Sequence, residues 1–370
     1  MTSSRIFRRA VVERLEEQGI AYEVLALQNE VTLVVVRRGG RLFLFLPDGE
    51  SIFWLHQAFD DPNAFAKLVG RDEWNIGGER VWISPEIQFN IRDRRDVWAS
   101  YHLPRQMDPG EWILERVTED TCRLSQELPL ETYNTASGQK RLIVERSIRP
   151  VEDPLRNLTA YRELTRGVVF SGYEHAITIT EVERDGISCQ AWDLIQLRPS
   201  GIVLVPGSPR AELTEYLEPS GSSVESGHDH VRIHITGDQR FKVGIKAAHL
   251  FGRLAYLRRI DDGRACLIVR NFFNNPSTPY IEEPPQTPGR WGDSVHVYND
   301  GGALGGFGEL ECFGQTIGGD TDRTASRRCY DPLALRRTRG ADRRHLASPA
   351  QRQSEGWSPE ADRANDAIAQ

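Results

Sequence analysis

Residues 31–54 read VTLVVVRRGGRLFLFLPDGESIFW. The run 31–36 is apolar and mostly β-branched, Gly39-Gly40 is a turn, and 41–46 forms a second apolar run before residues 47–49 turn into 51–54. β-Branched and aromatic side chains suit a pleated, half-buried surface, and glycine supplies the positive φ that tight hairpin turns require. The stretch therefore predicts a hairpin followed by a third strand. The same pattern recurs downstream at 80–84, 111–118, 122–128, 139–147, 168–170, 176–182, 190–196 and 201–205. It continues at 231–236, 241–247, 254–259, 265–272, 294–298 and 308–313. Helical periodicity is confined to 6–18 and 62–68, and no repeat of fixed period is present. Many short strands with turn residues between them predict an all-β sandwich or barrel. Residues 219–227 (PSGSSVESG) read as a loop, and no linker cuts the β region, so 30–326 is expected to be one domain behind an N-terminal helical segment, 1–29.

Composition narrows the classes of function. The chain has 370 residues, 39% hydrophobic and 9% aromatic, as a packed globular protein requires. No run approaches the roughly 18 apolar residues of a membrane-spanning helix, so no membrane partner is expected. With a net charge of −7 and basic residues scattered along the chain, nucleic acid is not expected as a partner. Cys122, Cys189, Cys266, Cys312 and Cys329 lie far apart, without the paired spacing of a zinc site. Isolated thiols, and the lack of an export signal at the N-terminus, point to a reducing, cytoplasmic setting.

The last 44 residues, from Arg327, hold nine arginines and no lysine, valine or phenylalanine. Such a composition predicts a disordered tail over 327–370. The chain has only four lysines among its 46 basic residues, a bias that suggests an arginine-rich codon set. Reading such a gene out of frame yields tails of this kind, so the expectation extends to a frameshifted ending that removed a last strand and left the sheet edge near 309–313 unpaired.

Four segments place polar groups where a buried strand or tight turn belongs. In 77–86 (GGERVWISPE) a double glycine feeds a strand carrying Arg80 and Trp82 and ending at Glu86. In Tyr173-Glu174-His175 a histidine adjoins a carboxylate, but neighbours on a strand face opposite ways, so Glu174 and His175 cannot share a site. In 292–302 (GDSVHVYNDGG) alternation puts Ser294, His296 and Tyr298 on one face, flanked by Asp293 and Asn299. In 306–313 (GFGELECF) Glu309 and Glu311 project from one face, an arrangement that raises one carboxyl pKa and can tune a general base.

Together these blocks resemble the galactose-mutarotase-like (aldose 1-epimerase-like) superfamily, in an uncharacterised bacterial branch of it. The resemblance rests on Gly77-Gly78 with Trp82, Pro85 and Glu86, and on the Gly39-Gly40-Arg41 hairpin with Trp54. Asp108-Pro109-Gly110, the Phe241-Lys242-Val243-Gly244 strand, and the order of the two C-terminal blocks add to it. It implies a β-supersandwich whose concave face binds a sugar or sugar derivative. It also implies a glutamate base, matched here by Glu309 or Glu311, and a histidine acid. The family's His-Pro-Tyr-Phe-Asn motif has no counterpart, and His175 and His296 stand in for it by proximity alone.

Mutarotation takes one proton from the anomeric hydroxyl and gives one to the ring oxygen, so no cofactor and no metal are expected. The expected catalytic set is Glu309, Glu311, His175 and His296. The expected sugar-binding set is Arg80, Trp82, Glu86, Trp192, Lys242, Asp293, Tyr298 and Asn299, with Trp291 as a further stacking platform. A non-catalytic sugar-binding or sensor domain, and a polysaccharide lyase or glycosidase on a similar scaffold, remain open.

Overall fold

A computed structural model describes residues 5–208, 211–261 and 263–337. Its strands assemble into two broad antiparallel sheets. The first has nine strands in the order β1 (Tyr22–Ala26), β2 (Thr32–Val36), β3 (Arg41–Phe45), β4 (Glu79–Ser84), β9 (Gln190–Leu197), β18 (Gly308–Phe313), β17 (Asp293–Asp300), β14 (Arg240–Lys246) and β11 (Leu213–Glu215). The second has ten, in the order β12 (Val224–Ser226), β13 (His230–Ile235), β10 (Gly201–Pro206), β15 (Arg253–Asp261), β16 (Arg264–Phe272), β19 (Ala325–Arg337), β8 (Val168–Glu181), β7 (Gly138–Pro150), β6 (Thr121–Thr132) and β5 (Ile113–Thr118). This is the all-β sandwich that the strand pattern predicts, in the two-sheet supersandwich form that the resemblance implies.

Each sheet buries one face against the other. In β6 every second residue, from Cys122 to Thr132, is buried while its neighbours stay partly or fully exposed, the mark of an antiparallel sheet with one wet face. β2 and β3 are instead buried at every position. Leu33, Val35, Leu42 and Leu44 join the inter-sheet core, whereas Val34, Val36, Phe43 and Phe45 pack outward against helix α1 (Arg8–Glu17) and helix α2 (Pro62–Gly70). A strand covered on both faces needs no alternation, which is why this stretch reads as unbroken apolar sequence.

The double glycine before β4 is sterically required. Gly77 and Gly78 have φ of +96° and +81°, and a Cβ would lie 2.5 Å from Trp54 O at the first and 2.5 Å from Phe43 Cδ1 at the second.

Several expectations are corrected. Residues 51–54 form isolated bridges, Phe45 to Ser51 and Phe53 to Leu197, rather than a third strand. The N-terminal segment contributes β1 at the edge of the nine-stranded sheet, and the 219–227 loop carries β12. The boundary at 326 is also wrong. β19 crosses it and pairs with β8 and β16 in the middle of the ten-stranded sheet. Its arginines masked the signal, and Pro332, which has no N–H to donate, lies where the pairing with β8 skips two residues. The edge predicted to stand open beside 309–313 is closed, because β18 pairs with β9 on one side and β17 on the other. What was expected of 338–370 lies outside the described residues.

Candidate functional site

Register assigns the polar residues to faces. Across the nine-stranded sheet, Trp82 pairs with Trp192, Arg80 with Leu194, Glu311 with Leu194 and with His296, and Tyr298 with Glu309 and with Lys242. Directly paired residues share a face. Arg80, Trp82, Trp192, Glu309, Glu311, His296, Tyr298 and Lys242 therefore lie together on the face turned away from the second sheet. Glu79, one residue from Arg80, points the other way and meets Tyr173 and His175 of β8.

On the outer face the charges interlock. The Lys242 ammonium lies 3.2 Å from Glu86 Oε2 and 3.3 Å from Glu311 Oε2, and 4.5 Å from the centre of the Trp192 ring. Glu86 opens the short helix α3 (Glu86–Phe89) directly after β4, so the chain turns this carboxylate back over the sheet. Glu311 Oε2 also accepts the Trp192 Nε1–H at 2.9 Å and stands 3.5 Å from His296 Nδ1. Arg80 Nη1 lies 2.8 Å from Glu309 Oε1, and its guanidinium stacks 4.1 Å over Trp82. Trp82 in turn donates to Asp108 Oδ2 at 2.9 Å, where Arg41 also bonds at 2.6 Å.

These surroundings split the two glutamates. Burial pushes the Glu309 carboxyl up to about 7, with the charge of Glu311 adding to the rise against the pull of Arg80. Glu311 is as buried, yet the Lys242 charge and the His296 contact outweigh burial and hold it at about 2. Burial alone would lower Lys242, but Glu311, Glu86, Glu282 and Glu309 carry it well above the usual lysine range. Burial lowers His296 below its ordinary value. An ionised Glu311 beside Nδ1 favours the tautomer with its proton there, which leaves Nε2 a lone pair. His296 Nε2 has no hydrogen-bond partner among the described residues, and the side chain is fully buried.

Three expected residues play other parts. His175 does not reach this cluster, and its expected catalytic role is corrected. Alternation on β8 turns it between the sheets, where Nδ1 lies 2.8 Å from Glu79 Oε1 and Nε2 accepts Arg146 Nε–H at 2.9 Å. Asn299 also faces inward: it accepts Gly237 N–H and donates to Gln239 O, so it buttresses a loop. Asp293 acts one step away by accepting the Tyr216 hydroxyl at 2.9 Å, while the Tyr216 ring sits 4.2 Å from that of His296. Trp291 is 52% exposed and donates to Glu283.

Tyr216 and Glu282 were not found by sequence reasoning. β11, which precedes Tyr216, is three residues long, and Glu282 lies in no strand, so neither carries a periodic signal. Glu282 accepts the Ser84 hydroxyl and the Glu86 N–H, tying residues 280–283 to the end of β4. Burial, with help from Glu86, raises its carboxyl to about 8.

One group among the described residues has the spacing of metal ligands: Glu79, His175 and Asp193, all buried, with ligand atoms within 4.8 Å of one another. The Arg270 guanidinium already bonds to both of those carboxylates, so a cation side chain occupies the position an ion would take.

The fold and its outer face define a two-sheet supersandwich with one densely charged, tryptophan-lined patch. The chain belongs to the family of unknown function DUF6786, whose model matches residues 47–317. No curated protein matches the sequence. Similar solved structures include a galactose mutarotase-like protein from Lactobacillus casei ATCC 334, at 8% identity and a TM-score of 0.45, covering 85% of this chain and 100% of that one. A galactose mutarotase related enzyme from Lactobacillus acidophilus is similar at 9% identity and a TM-score of 0.43, covering 87% of this chain and 99% of that one. At this depth of likeness no residue or activity is carried over. None of the helices among the described residues is long and apolar enough to cross a membrane.

Proposed function

We propose that this protein binds a sugar or sugar derivative on the outer face of the nine-stranded sheet and interconverts its anomers by acid/base catalysis. The observation that carries the reading is the pair formed by Glu309 and His296. One is a buried carboxyl poised at about 7, the other a buried imidazole whose Nε2 is unpartnered, and both project from the same face of adjacent strands. Glu309 and His296 are diagonal neighbours across the β17–β18 pair, about 7–8 Å apart at that spacing.

Mutarotation needs a base at the anomeric hydroxyl and an acid at the ring oxygen, and the two exchange roles on ring closure. One proton shared by Glu309 and His296 meets that need. In the assignment favoured here, His296 Nε2, backed by Glu311, takes the anomeric proton and the protonated Glu309 gives one to the ring oxygen. The reverse assignment has the same number of protons and the same pH dependence. Lys242 and Arg80 supply fixed positive charge, each lying over an indole, Lys242 over Trp192 and Arg80 over Trp82.

A second reading is binding without turnover. It is favoured by the contact between Arg80 and Glu309, which engages the carboxyl before any sugar arrives. The test is anomer exchange by NMR over a panel of aldoses, with Glu309→Gln and His296→Phe as comparisons. Acceleration lost in both variants supports catalysis. Saturable binding without acceleration leaves only the second reading, and neither binding nor acceleration removes both. The same proposal includes a cytoplasmic setting, because Cys122, Cys189 and Cys266 are buried thiols outside any disulfide.

A further inference from the structure

The outer face does not end at Lys242. Arg240 lies two residues earlier on β14 and pairs with Asp300, so its side chain leaves the same face about 7 Å along the strand. Its guanidinium stacks 4.3 Å from the centre of the Trp98 ring and is held in plane by Glu218, whose two carboxylate oxygens accept Nε–H at 2.9 and 3.0 Å. Trp98 stands on the short helix α4 (Val97–Ser100), in the segment that leaves Glu86 and α3 and crosses back over the sheet. Within this segment Arg94 is fixed to Glu283 at 2.7 Å and to Pro285 O at 3.2 Å, and Asn134 accepts the Arg94 N–H, so the segment is tied to the 283–285 stretch and to the β6–β7 turn. Next to Arg240, the Tyr298 hydroxyl bonds to Asp300 at 3.2 Å, and Tyr298 is the cross-strand partner of both Lys242 and Glu309.

A tryptophan that is 57% exposed gains little from burial, yet this one is oriented by a two-layer support of guanidinium and carboxylate. Such a support costs side-chain entropy that the indole does not recover from packing in the free protein. A ring held flat, with a guanidinium against one face and a carboxylate behind it, offers its other face and nearby hydrogen-bonding groups, as a pyranose requires. We propose that Trp98, Arg240 and Glu218 form an outer subsite for a second sugar ring, and that the ligand is a glycosidically linked sugar rather than a free monosaccharide. This rests on the reading of the outer face as a sugar site.

The test compares affinities by isothermal titration for D-glucose with maltose and cellobiose, and for D-galactose with lactose. The wild type is expected to bind at least one disaccharide about 3- to 10-fold more tightly than its parent monosaccharide, the gain that one aromatic stacking contact yields. Trp98→Ala should bring that ratio close to one, and Trp98→Phe should restore part of it. A wild-type ratio near one, or a ratio that survives in Trp98→Ala, overturns the subsite while leaving the sugar site standing. Failure to bind any of the five sugars overturns both. An unchanged melting temperature in Trp98→Ala separates a lost contact from a lost fold.

Discussion

Replacing Glu79 by glutamine should cost more stability than almost any other single-atom change in this chain. Glu79 accepts the Tyr173 hydroxyl and the Arg270 guanidinium at 3.0 Å, and His175 Nδ1 lies 2.8 Å from it, all without solvent. Burial works against its charge, yet His175 and Arg270 hold the carboxyl at about 2. The amide removes that charge and leaves the buried Arg146 and Arg270 facing Asp193 alone. Breaking a buried pair from one side typically costs about 3–5 kcal/mol. A domain of about 300 residues loses roughly 1–2 °C of melting temperature per kcal/mol, so Glu79→Gln should melt about 3–10 °C lower. The control is Glu174→Gln, next to His175 but on the opposite face, where the carboxylate meets a half-exposed Arg149 at 2.8 Å. Surface pairs contribute about 0–1 kcal/mol, so that variant should stay close to wild type. Urea unfolding of both variants at neutral pH measures the difference. A Glu79→Gln variant within about 1 kcal/mol of wild type would refute the claim that this network locks the sheets together.

The same network predicts acid sensitivity. Burial and Arg146 push His175 down to about 4, so the unfolded chain binds that proton first, and stability should fall by up to about 3 kcal/mol between pH 6.5 and 4. Unfolding free energies followed against pH should show this loss, and His175→Gln should flatten it. Lys242→Met removes the cation that holds Glu311 down; carboxyl shifts followed by NMR should show Glu311 titrating well above 2, and an unmoved titration would contradict the assignment. Gly78→Ala forces a methyl against Phe43 at positive φ and should destabilise by about 1–3 kcal/mol in urea, whereas tolerance would mean that the β3–β4 contact gives way easily.

How much could be read from the sequence depended on periodicity. In β17 and β18 a spacing of two puts His296 with Tyr298 and Glu309 with Glu311, but only the register joins the two pairs on one face, and burial with Lys242 and His296 sets the divergence of the carboxyl pKa values. Lys242 and Trp192 sit in equally regular strands. His175 shows what spacing leaves open: alternation separated it from Glu174, but only the second sheet decides that its face is the interior one. Glu282 and Tyr216 reach the site by tertiary contacts from irregular or very short segments, which leave no local pattern. β19 was missed because a strand in the middle of a sheet is recognised by apolar runs, and this one carries arginines and a proline. The Trp98–Arg240 stack joins residues 142 positions apart, a separation that no single-sequence pattern spans.

The central claim is that Glu309 and His296 share one working proton, and the pH dependence of anomer exchange tests it most directly. Above about 7 Glu309 loses the proton and no acid remains, so the rate should fall about tenfold per pH unit. Below the lowered His296 value both groups are protonated and no base remains, so the rate should fall again. The account predicts a bell with its maximum on the acid side of neutrality that collapses in Glu309→Gln. A rate that climbs steadily from pH 6 to 9, or a bell that survives Glu309→Gln, would contradict it.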